Sequence, residues 1–393
     1  MKSTSFILSN EMINKVVKIA FLIALTTIAL SSCSRKTFKQ NLIVKKPSNQ
    51  FNAKVDSIVV HNMNKYNIPG LSIGLVKNNS IIYSEGFGIA NIVNGKSINE
   101  NSIFHTASIS KLFTALAIME LVAMEKLAIE DKLVEILPDL QFEDQRVNNI
   151  TIKALLNHTS GIPDINNYNW ANSNQSSNSL KEYVLGLNLK LDSDPSTEYL
   201  YSNLAYDILG YVIEKVSGDS FEGFVKENIL DASEMHTSDF RYFDIDHSLK
   251  TTPHSKSWLT RKVHTRKIYP YTREHAPSST LNSSSKELSK WMISFLRTIS
   301  DPTVNGKYLE MIVPSFDAYP YIGLGFQLDH INGSKAIGHY GGDKGYRSYL
   351  IMIPKENIGL VVLANCDYNE DFRQEILHSI AALMLTHKAS DTE

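Results

Sequence analysis

The sequence predicts an α/β (α+β) fold, in which an antiparallel sheet built from both ends of the chain is flanked by helices and carries an inserted, mostly helical region. Two hairpin patterns support this prediction. Apolar runs at residues 71–76 and 81–83 flank a polar tetrapeptide, and longer runs at 346–353 and 358–363 flank residues 354–357. Strands at both ends with helices between them are typical of a single sheet that the C-terminal hairpin completes.

Two amphipathic helices are predicted beside these hairpins. Over residues 51–66, Val55, Val59 and Met63 fall on one stripe, and Pro69 follows the helix before the first strand. A second helix follows the last strand, with apolar residues on one face between 372 and 384. The segment 171–179 (ANSNQSSNS) is polar and of low complexity, which predicts a loop.

Composition excludes several classes of protein. The chain has 393 residues, of which 43% are hydrophobic and 20% charged, so it can bury a sizeable core. Its 39 Lys and Arg against 41 Asp and Glu give a formal charge of -2, which argues against nucleic-acid binding. Two cysteines are too few for a disulfide scaffold or a cysteine zinc site, and the histidines lack metal-ligand spacing. We expect no metal and no cofactor.

The N-terminus predicts export. Residues 1–18 carry three lysines and one glutamate, and the apolar run 19–30 is shorter than the roughly 20 residues that a membrane-spanning helix needs. Leu30-Ser31-Ser32-Cys33 resembles the lipobox of bacterial lipoproteins. That resemblance implies a signal peptide over 1–32, lipidation of Cys33, a basic tether over 33–50 and attachment to a membrane of the cell envelope, periplasmic or outer. The alternative is an uncleaved anchor with a chance cysteine.

Ser108 and Lys111 are the first candidate catalytic pair. Apolar residues after them recur at helical spacing, so Lys111 would lie one helical turn from Ser108 on the same face. A serine hydroxyl needs an adjacent base to become a nucleophile. Burial at a helix N-terminus would favour the neutral amine that such a base requires. The spacing alone is weak evidence, because Ser283 and Lys286 share it.

Further motifs follow in a fixed order. After residues 104–111 (FHTASISK) come 155–162 (LLNHTSGI), 201–203 (YSN), 276–281 (APSSTL) and 338–342 (GHYGG). Together they resemble the motifs of the family that contains class C β-lactamases and penicillin-binding carboxypeptidases, over about residues 53–386. The resemblance implies one β-lactamase-like hydrolase domain, which we place at 51–390.

The resemblance also implies catalytic roles. Ser108 would attack a carbonyl, Lys111 and Tyr201 would handle its proton, and Tyr201 would activate the water that releases the product. Asn203 would contact the substrate. Without the resemblance, Tyr201 would be a packing residue and Asn203 a helix N-cap. A helix is expected after this motif, ending at Gly218.

The last motif implies the substrate-binding strand. His339 would lie on it, Gly341 and Gly342 would let a substrate approach closely, and the Gly342 N–H would pair with that of Ser108 as an oxyanion hole. The sequence departs from typical β-lactamases here, since His339 replaces lysine and Tyr340 replaces threonine. Arg347 is therefore a candidate anchor for a substrate carboxylate, with a surface arginine as the alternative.

The predicted function is a serine hydrolase that forms an acyl-enzyme on amide or ester bonds. The expected partner is a small-molecule or peptide substrate: a D-amino-acid peptide of cell-wall type or a β-lactam. The alternatives are an esterase of the same fold and a penicillin-binding sensor lipoprotein with little turnover. Residues 241–275, with eight basic and three acidic residues, are either a solvated surface or a rim that attracts anionic substrates.

Overall fold

The computed structural model describes residues 48–304 and 306–386, all of which belong to a compact unit spanning 42–393. The predicted signal peptide, Cys33 and most of the tether lie outside these residues. Within the two described ranges, no helix has both the length and the apolar character that crossing a bilayer requires.

A seven-stranded sheet forms the centre of the fold. Its strands are β1 (Gly70–Lys77), β2 (Ser80–Asn91), β3 (Lys96–Ser97), β4 (Gln327–Ile331), β5 (Ser334–Asp343), β6 (Tyr346–Ile353) and β7 (Ile358–Ala364). The spatial order is β4-β5-β6-β7-β1-β2-β3, and every neighbouring pair is antiparallel. The C-terminal strand β7 pairs directly with β1, with Ile73 opposite Val362. The predicted sheet from both ends of the chain is thus confirmed.

Helices cover both faces of this sheet. On one face lie α1 (Gln50–Tyr66) and α5 (Phe372–Thr386), which contact each other. On the other lie α4 (Ser285–Ser300) and the inserted region. Successive strand residues point to opposite faces, so Leu360 packs with the terminal helices while Val361 packs with the inserted region. Because both faces are covered, β7 is apolar along its whole length.

The inserted region is mostly helical, as predicted. Its two long helices are α2 (Ser110–Ala123) and α3 (Asn203–Ser217), and α3 ends at Gly218, which adopts a left-handed φ of 79°. The shorter α-helices span Leu133–Ile136, Ile152–Leu156, Ser179–Leu185, Phe221–Val225, Ala276–Ser279 and Gly306–Leu309, and a π-helix spans Lys226–Asp231. Three small sheets pair Phe104–His105 with Asn282–Ser283, Gln141–Phe142 with Asn188–Leu189, and His254–Lys256 with Val263–Thr265.

Candidate active site

Ser108 lies in a tight turn at the start of α2. The turn is a 3-10 helix, Ala107–Ile109, and Ser110 donates a hydrogen bond to the Ala107 carbonyl at 2.6 Å. Ala107 has a φ of +51°, a left-handed conformation that costs a residue with a side chain about 1–3 kcal/mol. Such strain persists only where the surrounding structure imposes it. Ser108, the next residue, is half-buried in this turn.

The strained turn is held from two sides. The Thr106 N–H donates to the Leu281 carbonyl at 2.8 Å, and the Ser348 hydroxyl donates to the Thr106 carbonyl at 2.7 Å. Strand β5 passes so close that a Cβ on Gly341 would lie 2.2 Å from the Thr106 carbonyl oxygen. Gly341 therefore makes room for the nucleophile turn, whereas the sequence had suggested that it makes room for substrate.

Lys111 lies beneath Ser108 and is fully buried. Its Nζ donates hydrogen bonds to Ser108 Oγ at 3.1 Å, Asn203 Oδ1 at 2.6 Å and the Ser278 carbonyl at 2.7 Å. Three acceptors match the three protons of an ammonium group, and two of them remain good partners for a neutral amine. The predicted proximity of Ser108 and Lys111 is therefore present in the structure.

Burial makes Lys111 a suitable base. Loss of solvation lowers the pKa of its amine from the ordinary 10.5 to about 7, although the negative charges of Asp207, Asp164 and Asp343 act in the opposite direction. A base works best when its pKa is near the operating pH. At neutral pH a substantial fraction of Lys111 can thus accept the proton of Ser108.

Tyr201 is the third residue of the candidate catalytic group, with Ser108 and Lys111. Its hydroxyl donates to Ser108 Oγ at 3.0 Å, and burial raises the pKa of the phenol above its ordinary value. The ring of His158 packs against that of Tyr201, with centroids 4.4 Å apart. His158 Nδ1 accepts the Ser202 N–H at 3.1 Å, and burial keeps the pKa of the imidazole well below 6.5. His158 is therefore neutral and supports Tyr201, a contact that its sequence motif did not reveal.

Asn203 contacts Lys111 rather than capping α3. The N-cap of that helix is Ser202, whose hydroxyl accepts the Ala205 N–H. Asn203 Nδ2 lies 2.9 and 3.1 Å from the two oxygens of Asp164, and its backbone N–H donates to the same carboxylate at 2.8 Å. Asp164 follows the 155–162 motif by two residues, and no periodicity or spacing in the sequence indicated its role.

Strand β5 presents an open edge to the site. Strand β4 pairs with β5 only as far as Gly338, and the next outward N–H, that of Tyr340, is capped by Gln327 Oε1 at 3.1 Å. Outward and inward groups alternate along an antiparallel strand, so the N–H of Gly342 points to the same open edge. This is the orientation that an oxyanion donor beside Ser108 requires.

His339 is buried and uncharged. Burial and the nearby positive charge of Lys111 lower its pKa to about 3, and Nδ1 donates to the Tyr340 carbonyl at 2.5 Å. Its ring centroid lies 6.4 Å from that of Tyr201. Tyr340 points to the opposite face, where it stacks on Tyr349 at 3.7 Å. His339 therefore borders the catalytic group without supplying a positive charge.

The structure corrects the anchor prediction for Arg347. Its Nη1 donates to the carbonyls of Asp343 and Tyr346, both at 2.9 Å. Its Nη2 donates to the Asp367 carbonyl at 2.9 Å and pairs with Glu370 at 2.8 Å. These four partners occupy all four Nη hydrogens, and Nε is buried. Arg347 therefore holds the end of the β5–β6 hairpin, and its one unpaired donor, Nε, is buried and cannot reach a substrate carboxylate.

Asp343, the last residue of β5, links three segments near the candidate active site, and the sequence analysis did not single it out. It accepts hydrogen bonds from Trp170 Nε1 at 3.2 Å and from the Ser279 hydroxyl at 3.3 Å, and it lies 3.3 Å from His105 Nε2. These contacts join the end of β5 to the 162–178 loop and to the 276–281 motif.

Comparison with known proteins gives a consistent result. The sequence model of the Beta-lactamase family matches residues 55–384. The chain is 27% identical to Protein flp of Staphylococcus aureus (strain MW2) over 353 residues, which are 88% of this chain and 69% of that protein.

Solved structures share the fold. The octameric penicillin-binding protein homologue from Pyrococcus abyssi superposes with a TM-score of 0.72 at 25% identity, covering 86% of this chain and 78% of that one. A D-stereospecific amidohydrolase from Streptomyces sp. gives a TM-score of 0.68 at 20% identity, covering 83% and 97%, and supports the fold alone.

Proposed function

This chain belongs to the β-lactamase family, whose members are generally serine hydrolases, and we propose from this premise that it is an active acyl hydrolase with Ser108 as its nucleophile. One observation carries the proposal: Ser108 Oγ lies 3.1 Å from Lys111 Nζ and 3.0 Å from Tyr201 Oη. A nucleophile within hydrogen-bond reach of both a base and an acid is the arrangement that acyl transfer needs.

In acylation, Ser108 Oγ bonds to the substrate carbonyl carbon while its proton passes to Lys111. The resulting ammonium is stabilised by Asn203 Oδ1 and the Ser278 carbonyl. The N–H groups of Ser108 and Gly342 would hold the developing oxyanion. As the bond to the leaving group breaks, Tyr201 supplies the proton that the leaving nitrogen or oxygen takes up.

Deacylation reverses these transfers. The phenolate left on Tyr201 takes a proton from water, which attacks the acyl-enzyme. The Lys111 ammonium returns its proton to Ser108 Oγ as the acid leaves, so both groups regain their starting states. The raised pKa of the Tyr201 phenol makes its anion a strong base for this step.

For the substrate, we propose amides and esters of D-amino acids or D-amino-acid peptides whose recognition does not depend on a carboxylate. His339 is neutral at pH 7 and Arg347 is occupied by Asp343, Tyr346, Asp367 and Glu370. Arg347 was the anchor that the sequence suggested for the carboxylate of a penicillin or a free peptide C-terminus, since His339 replaces the lysine usual in the family. The D configuration is carried over from the resemblance of the sequence motifs to penicillin-binding carboxypeptidases.

Covalent labelling tests the proposal. A fluorophosphonate probe should add one adduct to the chain, and peptide mapping should place it on Ser108. Ser108→Ala should remove the adduct, while Ser283→Ala, in the other Ser-x-x-Lys sequence, should keep it. A labelled Ser108→Ala variant would refute the assignment.

The substrate class is tested separately. A D-alanyl amide should be hydrolysed with higher kcat/KM than the matching D-alanine dipeptide with a free carboxylate, and than nitrocefin. The reverse order would favour a carboxypeptidase or a β-lactamase. Lasting acylation by penicillin without release would instead favour the sensor that we considered from the sequence.

We also propose that the mature protein begins at Cys33 and is held at a membrane of the cell envelope by lipid on that residue, with the hydrolase domain at 51–390. The support is the lipobox-like sequence 30–33, after the apolar run 19–30. Intact mass of the protein from a bacterial host tests it. An unprocessed N-terminus, or an unmodified Cys33, would contradict the proposal.

A further inference from the structure

A cavity on another part of the surface is lined by cations. It has a volume of about 370 Å³ and lies between the β2–β3 turn and residues 242–269. Its lining includes five basic side chains, those of Lys96, His247, Lys250, Arg266 and Lys267, and no lining residue is Asp or Glu. Residues 247–273 contain seven Lys and Arg and no acidic residue, so the positive charge extends along the adjoining surface.

Arg266 pairs with Asp367, with Nη1 3.4 Å from Oδ2, and the other four basic side chains of the cavity have no such ion pair among the described residues. Lys96 donates to the Ser248 carbonyl, and the Lys250 ammonium lies 4.2 Å from the centre of the Tyr242 ring. Desolvation lowers the pKa of Lys250, and the charges of Asp244 and Asp246 oppose this effect. Asp244 pairs with Arg241, and Asp246 accepts the Ser248 N–H. A bound anion would therefore reduce the repulsion within the cavity.

An apolar hairpin tip extends from the wall of this cavity. The hairpin begins beside Pro253, whose carbonyl accepts the Arg266 N–H at 2.8 Å, and pairs His254–Lys256 with Val263–Thr265. At its tip, Trp258 is 85% exposed and Leu259 is 73% exposed. Large side chains this exposed and adjacent to each other indicate an interaction surface.

We propose that this face, the cationic cavity together with the Trp258–Leu259 tip, binds the surface of an anionic phospholipid membrane. A lipid phosphate would occupy the cavity, and the tip would enter the interfacial layer, where tryptophan is enriched. Three strand residues at about 3.3 Å each place the tip about 10 Å beyond the cavity wall, close to the roughly 5–10 Å to which interfacial segments sink. A soluble phosphate would account for the cavity but not for the exposed apolar tip.

Tryptophan fluorescence tests this on the full chain. Because the apolar run 19–30 of the unprocessed chain, or the lipid proposed on Cys33 of the mature protein, would bring the protein to any vesicle, the readout is Trp258 itself rather than co-sedimentation. The other tryptophans, Trp170 and Trp291, are buried and give a constant background. Vesicles of phosphatidylglycerol and phosphatidylcholine should shift the emission of Trp258 to the blue and shield it from acrylamide, whereas vesicles of phosphatidylcholine alone should do neither. Trp258→Phe should remove the shift.

Charge variants test the cavity. Lys250→Gln with Lys267→Gln should raise the anionic lipid concentration needed for half the shift, roughly fivefold for each charge removed. The exposed pair Lys181→Gln with Lys190→Gln should leave it unchanged. An equal response to neutral vesicles, or an equal loss in both double variants, would overturn the proposal. Displacement of the shift by inorganic phosphate would identify a soluble-anion site instead and would also overturn it.

Discussion

Asn203 turns its amide oxygen toward Lys111 because Asp164 binds the amide nitrogen on the other side. Asn203 Oδ1 lies 2.6 Å from Lys111 Nζ, while Nδ2 lies 2.9 and 3.1 Å from the Asp164 oxygens. A reversed amide would direct N–H groups at an amine and an oxygen at a carboxylate, which is unfavourable on both sides. Asp164 is therefore a positioning residue for the Lys111 base.

Asp164→Asn should shift the pH dependence of catalysis. The Asp164 charge raises the pKa of Lys111, so its removal should lower that pKa and increase the neutral fraction at a given pH. The acid limb of kcat/KM should then move to lower pH. Other charged or titratable groups around Lys111 remain unchanged, namely Asp207, Asp343, His158, His339, Tyr201 and Tyr206. Asp139→Asn, at an exposed aspartate, is the matched control and should leave the acid limb in place. An acid limb that does not move in Asp164→Asn would contradict the role assigned to Asp164.

Lys111 should set the acid limb of the wild-type enzyme. Its pKa of about 7 means that kcat/KM should rise with pH up to about 7 and then level off, because only the neutral amine can accept the Ser108 proton. Lys111→Met should lower kcat/KM by roughly 10²–10⁴ and remove this limb. Rates of fluorophosphonate labelling across pH give the same information independently. A limb that persists in Lys111→Met would assign it to another group.

Tyr201→Phe should separate the proton donor from the packing role of the ring. The variant keeps the contact with His158 and loses the hydroxyl 3.0 Å from Ser108 Oγ. We expect a fall in kcat of about 10²–10⁴ with little change in melting temperature. For substrates with good leaving groups, which need no proton, the variant's acylation rate should fall less than it does for amides. An equal loss for both classes would argue against Tyr201 as the acid.

Substitution by alanine should destabilise the protein at Gly341 but not at Gly342. A Cβ on Gly341 would lie 2.1 Å from Ser348 Oγ and 2.2 Å from the Thr106 carbonyl oxygen, so Gly341→Ala must displace β5 or the nucleophile turn. We expect a loss of about 1–3 kcal/mol in unfolding free energy and reduced labelling of Ser108. The three atoms nearest to a Cβ on Gly342 all belong to the flexible Arg347 side chain, the closest at 3.3 Å, so Gly342→Ala should fold normally. Denaturant unfolding of both variants checks the contrast.

Most of the fold could be predicted from local sequence patterns. The hairpins at both ends, helix α1 and the end of α3 at Gly218 depend on residue periodicity and turn residues over a few positions. The second strand of the first hairpin, β2, proved longer than its apolar run, because it pairs with β1 as far as Gly88 and then with β3 as far as Asn91. Strand β4 and the first half of β5 were not predicted, because both mix polar and apolar residues without clear alternation.

For the candidate active site, the motifs and their family resemblance were enough to nominate Ser108, Lys111 and Tyr201, because each lies in a motif whose members are neighbours along the chain. Their chemical states depend on distant segments that only folding brings together. Burial lowers the pKa of Lys111 while Asp207, Asp164 and Asp343 oppose it, and four partners from the β5–β6 turn and residues 367–370 occupy Arg347. Desolvation and hydrogen-bond partnership are properties of packed neighbours in three dimensions, so no reading of spacing along one chain could have supplied them.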